Sequence, residues 1–538
     1  MGIVVQNNTG EKTAVEFIIK KHDKLKQAKQ SWESHWKEIT RYFLPNKQDV
    51  WGGATPGQKW GQELFDAIGV RSTEKLASAL HSMLTNPSVM WFGFSSGNHA
   101  IDSIQENAKW LQDSAKAIFG ILNNSNFQPE IHEAYMDLCS IHTSHLTVEE
   151  DEVEIVKFKS LPIFTAAISE NYKGTVDTVY YESEKTVTQL IEEYGMDSLP
   201  EEVKQIQFTD PLKKFCVIQA IEPTANLPKS LQHEMLAFTS LHILKEAFVV
   251  LKKGGFEENP CIVSRFHKLS GEMYGRGPAM YALPHVKSCN QMMKTWLEGA
   301  QLAINPPLQL PDEGVLLPVK LTPGGVNYYR ADSKDRIEPI ITGANPGVGH
   351  QIIELLHKEI EEFFYINQLQ LVENDRMTAT EVMQRKDENL RFLSPIIGRL
   401  MYELHAPIIL RVFGIATRRG LIPPIPQGLR QAKLEVKFVS QLARAHDTIE
   451  AENTLRAFQV ITSLAQIDPT VMDYIDMSKH AKFFYKNFGS NLDLLRKDQE
   501  VKQLQEQRAQ AQAQAQQAQL DQMNSQSMKN VAQAEQVQ

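Results

Sequence analysis

Residues 274–304 read YGRGPAMYALPHVKSCNQMMKTWLEGAQLAI, and this stretch decides how the middle of the chain folds. Gly275 and Gly277 loosen the backbone at a helix entry. Pro278 suits a first helical turn, and Pro284 suggests a fresh start. Beyond Pro284, apolar residues recur at steps of three and four, which places them on one side of a helix. They are Val286, Cys289, Met293, Trp296, Ala300 and Ile304. The stretch predicts an amphipathic helix from Pro284 to Ile304, about 30 Å long.

A second stripe on this helix is polar and follows the same spacing. Its members are Lys287, Gln291, Lys294, Glu298 and Gln301. A helix with one apolar and one polar stripe packs on one side and meets water or a charged partner on the other. The pattern predicts a strut with one free polar face.

The segment after this helix is interrupted by prolines. Pro306 and Pro307 end the helix, and repeated prolines up to residue 345 exclude a long helix there. Alternation at 314–320 and at 326–330, around a Pro-Gly-Gly turn, favours a small β element. Asn345 and Pro346 then suit the N-cap and first turn of a second helix, which ends near Ile366.

A loop follows at 367–377, with the sequence NQLQLVENDRM. It ends at Thr378, which with Glu381 has the spacing of a capping box and starts a long helix. Pro395 and Pro407 lie inside that helix and should bend its axis. A loop between two stiff helices can localise contact with a moving partner. The candidate contact residues are Gln368, Gln370, Glu373, Asn374, Asp375 and Arg376.

The rest of the chain predicts an α+β fold that is predominantly helical. A helix is expected over 13–43, where Trp32 and Trp36 either anchor an interface or pack in a core. Alternating runs between 148 and 265 favour strands, and 433–438 resembles another strand. Gln and Ala dominate the tail at 498–538, which predicts either a helical barrel extension or a partly disordered tail.

Composition narrows the classes of function. A chain of 538 residues suggests two to four domains at roughly 150 residues each. The formal net charge of −9 argues against a generic cationic DNA-binding protein. The four cysteines are far apart and predict reduced thiols, as in a reducing cytoplasm. We expect no secretory signal and no membrane span, since no apolar run reaches about 18 residues.

Catalytic and metal-binding patterns are weak. His132, Cys139, His142 and His145 form the densest group of metal-ligating residue types, but their spacing is not a zinc signature. The glycines at 343–349 lack the Lys-Ser/Thr ending of a phosphate loop. We therefore expect no enzymatic activity, no cofactor and no metal.

Three motifs carry a resemblance to a known family: YGRGPAMYALPHVKSCNQ, RMTATEVMQR and the Gln/Ala-rich tail. Their order resembles the portal proteins, or head-to-tail connectors, of short-tailed bacteriophages. The resemblance implies a subunit with a wing, stem, clip and C-terminal crown or barrel. It assigns 1–265 to an N-terminal α+β wing, 266–305 to the first stem helix, 306–345 to the clip, 346–366 to the second stem helix, 367–377 to a tunnel loop, 378–420 to a kinked helix, 421–497 to the wing return and crown helices, and 498–538 to the barrel or tail.

The resemblance also implies a function. The chain would form a homo-oligomeric ring, a dodecamer, at one capsid vertex of the virion, after assembly in the host cytoplasm. Double-stranded DNA would pass through it in packaging and ejection. The partners would be a terminase packaging motor, the major capsid and scaffolding proteins, and tail adaptor proteins. The polar stripe of the first stem helix would face the channel or form salt bridges between subunits. The alternative is a helical scaffold or adaptor without a DNA channel.

Overall fold

The computed structural model describes residues 9–47, 61–233, 235–309, 328, 338–339, 346–369, 393–430, 432–439, 454–465, 468, 470–471, 475–487 and 498–535. The fold is mixed α and β and mostly helical, which confirms the α+β class. The chain divides into two compact units. The first comprises Met1–Trp91 and Lys116–Ile422, and the second comprises Phe92–Ala115 and Pro423–Gln538.

The first unit combines helices with two larger antiparallel sheets. The described helices are α1 (Thr9–Phe43), α2 (Ile68–Leu84), the end of α4 (Gln105–Asn124), α5 (Phe127–Ser140), α6 (Val187–Tyr194), α7 (Glu201–Thr209), α8 (Pro278–Ile304), α9 (Pro346–Phe363), α10 (Ile366–Leu369) and α11 (Leu393–Arg418). The strands are β2 (Thr143–Asp151), β3 (Ile155–Ser160), β4 (Ala166–Glu170), β5 (Val176–Thr186), β6 (Lys214–Pro223), β7 (Phe238–Leu244), β8 (Val249–Phe256) and β9 (Cys261–Arg265).

The larger sheet has the strand order β4-β5-β6-β7-β8, and the smaller has the order β3-β2-β9. Every pairing in both is antiparallel. The start of α1 covers one face of the larger sheet, where Val15 and Ile18 pack with Tyr180 and Leu241. Strands in which apolar and polar residues alternate bury one face of a sheet in this way. The same alternation predicted strands between residues 148 and 265.

Trp36 lies in the core of the first unit. Its ring is fully buried, and its centroid lies 5.0 Å from that of Tyr274 in an edge-on arrangement and 5.8 Å from that of Phe164. Trp32 is half-buried on the preceding turn, with the Arg276 guanidinium 5.1 Å from its ring centroid. Of the two interpretations of the tryptophan pair, core packing holds for Trp36.

Helix α8 corrects one prediction from the sequence. It begins at Pro278 and runs through Pro284, so the fresh start predicted at Pro284 is wrong. Pro284 lies on an exposed side, and the loss of one backbone hydrogen bond does not end so long a helix. Gly275 and Gly277 serve close packing: a Cβ would lie 2.1 Å from the His142 carbonyl oxygen at Gly275, and 2.5 Å from His142 Nδ1 at Gly277.

A two-residue antiparallel pair lies between α8 and α9, formed by β10 (Leu308–Gln309) and β11 (Glu338–Pro339). The β element predicted at 314–320 and 326–330 lies outside the described residues, apart from Tyr328. Helix α9 ends at Phe363, because Tyr365 takes a left-handed conformation with φ +58°. Helix α10 then includes residues 367–369, the first three of the predicted loop.

Helix α11 contains Pro395 and Pro407, and a π-helical turn spans Met401–His405. In a regular α-helix, the ring of Pro407 would clash with the carbonyl four residues earlier. The π turn widens the helix there, and the Ala406 N–H bonds to the carbonyl of Met401 instead. The predicted cap at Thr378 and Glu381 lies outside the described residues.

One helix among the described residues, α11, is long and apolar enough to cross a membrane by length and composition. Half of its most apolar window is buried within the protein, including Ile408, Val412 and Ile415. A helix packed in a core passes the same test, so this is weak support for a span.

The second unit contains a two-stranded sheet and several helices. Strand β1 (Phe92–Ser95) pairs with β12 (Glu435–Phe438) in antiparallel register. Its described helices are α3 (His99–Asp102), the start of α4, α12 (454–465), α13 (Met477–Asn487) and α14 (Asp498–Glu535). The predicted strand at 433–438 is therefore present, and the Gln/Ala-rich tail is helical over the described part of its length.

Candidate functional site

The predicted stem is an antiparallel pair of helices, α8 and α9. His285 and Glu359 approach each other near one end, with Nε2 3.7 Å from Oε2. Trp296 and His350 meet further along, with ring centroids 6.3 Å apart. A Cβ on Gly349 would lie 2.9 Å from Trp296 Cδ1, so glycine there lets α9 approach the indole closely.

The base of this pair is attached to α1 and α2. Lys287 on α8 donates a hydrogen bond to Glu38 on α1, with Nζ 2.5 Å from Oε1. Lys75 on α2 donates to Glu361 on α9 across 3.1 Å. Both ion pairs lie at the surface and contribute little to stability individually. They nonetheless place the base of the stem against the N-terminal helices.

The polar stripe predicted to face a channel divides into two groups. Lys287 pairs with Glu38, and the Lys294 ammonium lies 5.6 Å from the ring centroid of Phe65. Gln291, Glu298 and Gln301 are exposed. The structure therefore leaves three members of the stripe accessible, while the two lysines contact other parts of their own chain.

The apolar stripe of α8 changes from buried to exposed along the helix. Val286 and Cys289 are fully buried at the base, whereas Ile304 at the far end is 85% exposed. On α9, Leu355 is 57% exposed. Leu297, Leu302 and Ile352 are exposed as well. We call these five residues, which lie along the two helices, the apolar stem surface.

A polar cluster lies where the stem meets the segment before α2. Asp66 Oδ2 lies 2.6 Å from Nε2 of His357 and 3.4 Å from Sγ of Cys289. Asp66 and Cys289 are buried, and His357 is one-third exposed. Burial, together with the charge of Asp66, raises the pKa of the Cys289 thiol to about 12. This thiol is therefore protonated and not a nucleophile at neutral pH.

The sequence did not predict this cluster, because its members are separated by hundreds of residues. Among the described residues it is the one group of three metal-ligating side chains whose ligand atoms lie within 4.8 Å of one another. Asn290 strengthens it, since its Oδ1 accepts hydrogen bonds from the Phe65 and Asp66 N–H groups at 2.7 and 3.1 Å.

The group His132, Cys139, His142 and His145 is separated by packing. His142 Nδ1 lies 3.1 Å from the Leu138 carbonyl oxygen, and Nε2 accepts from the Met280 N–H at 3.3 Å. His145 Nε2 lies 2.7 Å from the Tyr181 hydroxyl. Burial lowers the pKa of both His142 and His145 to about 3. His142 and His145 are therefore neutral core residues.

The predicted tunnel loop is described at its start alone. Gln368 lies half-buried in α10. Gln370, Glu373, Asn374, Asp375 and Arg376 lie outside the described residues.

The profile of a protein family described as "Bacteriophage head to tail connecting protein" matches residues 16–495, which is most of the chain. The chain belongs to this family. The connector is also 28% identical over 520 residues to the "Probable portal protein" of Bordetella phage BPP-1, covering 95% of this chain and 94% of that protein. It is 24% identical over 509 residues to the "Portal protein" of Salmonella phage epsilon15, covering 92% and 91% of the two chains.

The connector also contains a buried ion-pair network that sequence patterns did not predict. Arg265, the last residue of β9, donates hydrogen bonds to Glu403 in the π turn and to Glu170 at the end of β4. The Arg265 guanidinium is 1% exposed and the Glu403 carboxylate 7% exposed. Since a buried ion is stable only when paired, this network holds α11 against both sheets.

Two further groups of buried polar contacts join distant segments of the chain. The hydroxyl of Tyr135 lies 2.7 Å from Nε2 of His405 and 3.3 Å from the Thr85 hydroxyl. Burial lowers the pKa of His405 to about 3. Lys47 pairs with buried Asp137 across 2.7 Å, and burial raises the pKa of this carboxyl above its usual range.

Proposed function

We propose that this connector is the portal subunit of a short-tailed bacteriophage. In this proposal, identical copies form a ring, a dodecamer, at one capsid vertex of the virion, and double-stranded DNA passes through the ring in packaging and ejection. The family match over residues 16–495 and two relatives named as portal proteins support it.

The observation that supports a ring is the exposed apolar stem surface. In a single copy, Ile304 and Leu355 expose most of their surface to water. Burying apolar surface stabilises by about 25 cal/mol per Å², so burial of five such side chains between copies favours association. A second copy of the same helix pair offers a complementary surface of the same chemistry. Head-to-tail repetition of such a contact closes a ring when the rotation between copies fits.

The parts of the subunit are assigned as follows. Residues 1–265 would form the wing, α8 and α9 the stem, 306–345 the clip, 367–377 the tunnel loop, 378–420 the kinked helix, 421–497 the wing return and crown helices, and 498–538 the barrel or tail. The ring would bind a packaging terminase, tail adaptor proteins, and the major capsid and scaffolding proteins. Assembly would take place in the host cytoplasm. The ATP-consuming step would belong to the separate motor.

Contact with DNA is assigned to accessible polar side chains. Gln291, Glu298 and Gln301 on α8 would line the channel, as Lys287 and Lys294 would if ring formation released them from Glu38 and Phe65. Uncharged and acidic side chains hold phosphates weakly, which permits sliding, because tight neutralisation of phosphates would retain the DNA. The loop residues Glu373–Arg376 would contact it as it moves.

Electron microscopy of the purified connector tests the ring. We expect closed rings with a central opening, formed alone or with capsid and scaffolding proteins. Monomers under all ionic conditions, even with those proteins present, would contradict the portal assignment and favour an adaptor without a channel.

A loop variant tests the DNA contact separately. Replacing 373–376 with Gly and Ser should leave rings intact and reduce DNA retention in packaging assays. Unchanged packaging by intact rings would remove the proposed role of the loop.

A further inference from the structure

Three ligand atoms of different chemistry converge at the base of the stem, from three separate elements. Asp66 precedes α2 by two residues, Cys289 lies on α8, and His357 lies on α9. One atom of each, a carboxylate oxygen, a thiol sulfur and an imidazole nitrogen, lies within 4.8 Å of the other two. We propose that Asp66, Cys289 and His357 bind one divalent transition-metal ion of the zinc class.

The donor set suits that class of ion. Zinc takes thiolate, imidazole and carboxylate ligands in tetrahedral sites, whereas magnesium and calcium prefer oxygen ligands alone. Three protein ligands leave the fourth position for water. His357 is the one-third-exposed member of the set, so its side of the cluster admits solvent.

Two of the three separations are within about 1 Å of those that tetrahedral coordination requires. Metal–ligand lengths of about 2.0–2.3 Å place a sulfur and an oxygen ligand about 3.5 Å apart, and a nitrogen and an oxygen ligand about 3.3 Å apart. Sγ of Cys289 lies 3.4 Å from Oδ2 of Asp66, which already fits. Nε2 of His357 lies 2.6 Å from the same oxygen, so the imidazole would withdraw by less than about 1 Å.

The carboxylate is oriented by neighbours that do not belong to the ligand set. Asp66 Oδ1 accepts a hydrogen bond from the Ile68 N–H at 2.8 Å, which leaves Oδ2 directed at Cys289 and His357. Asn290, next to Cys289 on α8, accepts from the N–H groups of Phe65 and Asp66, and its amide donates to the Glu63 carbonyl at 2.9 Å. Metal sites commonly depend on supporting hydrogen bonds of this kind.

The order of the three groups argues against a nucleophilic triad. In such a triad, histidine lies between the nucleophile and the carboxylate. Here Asp66 is the central member, in contact with both Cys289 and His357. Metal binding would release the thiol proton to water, and the imidazole would coordinate through Nε2 with its proton on Nδ1. The ion would join the segment before α2 to both stem helices.

Cobalt titration of the full-length, chelator-stripped protein tests the site. Co²⁺ bound by a thiolate gives a near-ultraviolet charge-transfer absorption, which we expect to saturate at one ion per chain. Zn²⁺ should displace the cobalt and remove the absorption, and zinc should raise the melting temperature of the stripped protein.

Variants with matched controls decide which residues bind. Cys289→Ser should abolish the absorption, while Cys139→Ser, at another buried thiol, should retain it. His357→Gln and Asp66→Asn should weaken cobalt binding at least tenfold, while His350→Gln, at an exposed position on the same helix, should not. Circular dichroism confirms folding, and His357→Gln, at a partly exposed position, keeps the test valid if Cys289→Ser fails to fold.

No thiolate–cobalt absorption in the unmodified protein would overturn the proposal. So would absorption that persists in Cys289→Ser, or affinity unchanged in both His357→Gln and Asp66→Asn. In those cases, the three residues form a hydrogen-bonded cluster only. None of these outcomes depends on whether rings form.

Discussion

Glu403 binds the guanidinium of Arg265 with both carboxylate oxygens, Oε2 lying 3.1 Å from Nε and Oε1 2.9 Å from Nη2. Oε2 also accepts from the Arg265 backbone N–H at 3.0 Å. The two residues are 138 positions apart, and Glu403 lies in the π turn that precedes Pro407. The π turn therefore accommodates the proline and also belongs to the segment that presents Glu403 to the sheet.

Removing the charge of Glu403 should destabilise the connector. Glu403→Gln preserves the shape but leaves buried Arg265 with weaker hydrogen bonds, at a cost of about 3 kcal/mol. Denaturant unfolding measures this cost. Glu272→Gln is the control, because Glu272 pairs with Arg276 near the surface, where an ion pair contributes less than about 1 kcal/mol. Equal losses of unfolding free energy in the two variants would show that the buried pair stabilises the fold no more than the surface pair does.

Buried histidines should make the fold sensitive to mild acid. The pKa of His405 is about 3 in the folded chain, against an ordinary value of 6.5. Below pH 6.5 the unfolded chain therefore binds a proton that the folded chain does not, and stability falls as pH falls toward 3. Each such histidine contributes about 1.4 kcal/mol per pH unit in that window.

The variant His405→Gln isolates one of these contributions. It lowers stability at neutral pH, because Tyr135 loses its imidazole partner, but the slope of unfolding free energy against pH should become shallower by about 1.4 kcal/mol per unit between roughly pH 6 and 4. A slope in His405→Gln identical to that of the unmodified protein would show that His405 is protonated in the fold.

Trp36 should contribute to the stability of one subunit. Trp36→Ala removes a fully buried indole between Phe164 and Tyr274, at a cost of about 3–5 kcal/mol. Trp32→Ala should cost less, since Trp32 is half-buried. Thermal unfolding of the two variants checks this. A Trp36→Ala protein with unchanged melting temperature and lost assembly would restore the interface interpretation.

The apolar stem surface should control assembly without controlling the fold. The double variant Ile304→Glu and Leu355→Glu places charges on exposed positions, so circular dichroism of the subunit should be unchanged. Rings should be lost in size-exclusion chromatography and electron microscopy, because burying two carboxylates between copies is costly. Gln301→Glu adds a charge on the polar stripe and should still assemble. Rings of normal size from the double variant would place the subunit contact elsewhere.

Local patterns predicted much of the secondary structure. Spacing and capping placed the helices near 13–43 and 346–366, and alternation placed strands between 148 and 265, because these signals act over a few residues. The prediction that a helix starts at Pro284 was wrong. Proline is favoured in the first turn of a helix, but this preference does not show whether a helix that began earlier continues through the proline. The candidate contacts at Glu373–Arg376 remain predictions.

The sequence by itself determined the α+β class, the order of helix, proline-rich segment and helix, and the resemblance to a family. Tertiary structure alone decided which distant residues meet: Arg265 with Glu403, and Asp66 with Cys289 and His357. It also showed why residue 277 is a glycine: the ring of His142 leaves no room there for a side chain. The reason is physical. Secondary structure follows from periodicity within a few turns of chain, whereas burial, ion pairing and ligand geometry arise when packing brings together segments whose separation in sequence carries no signal.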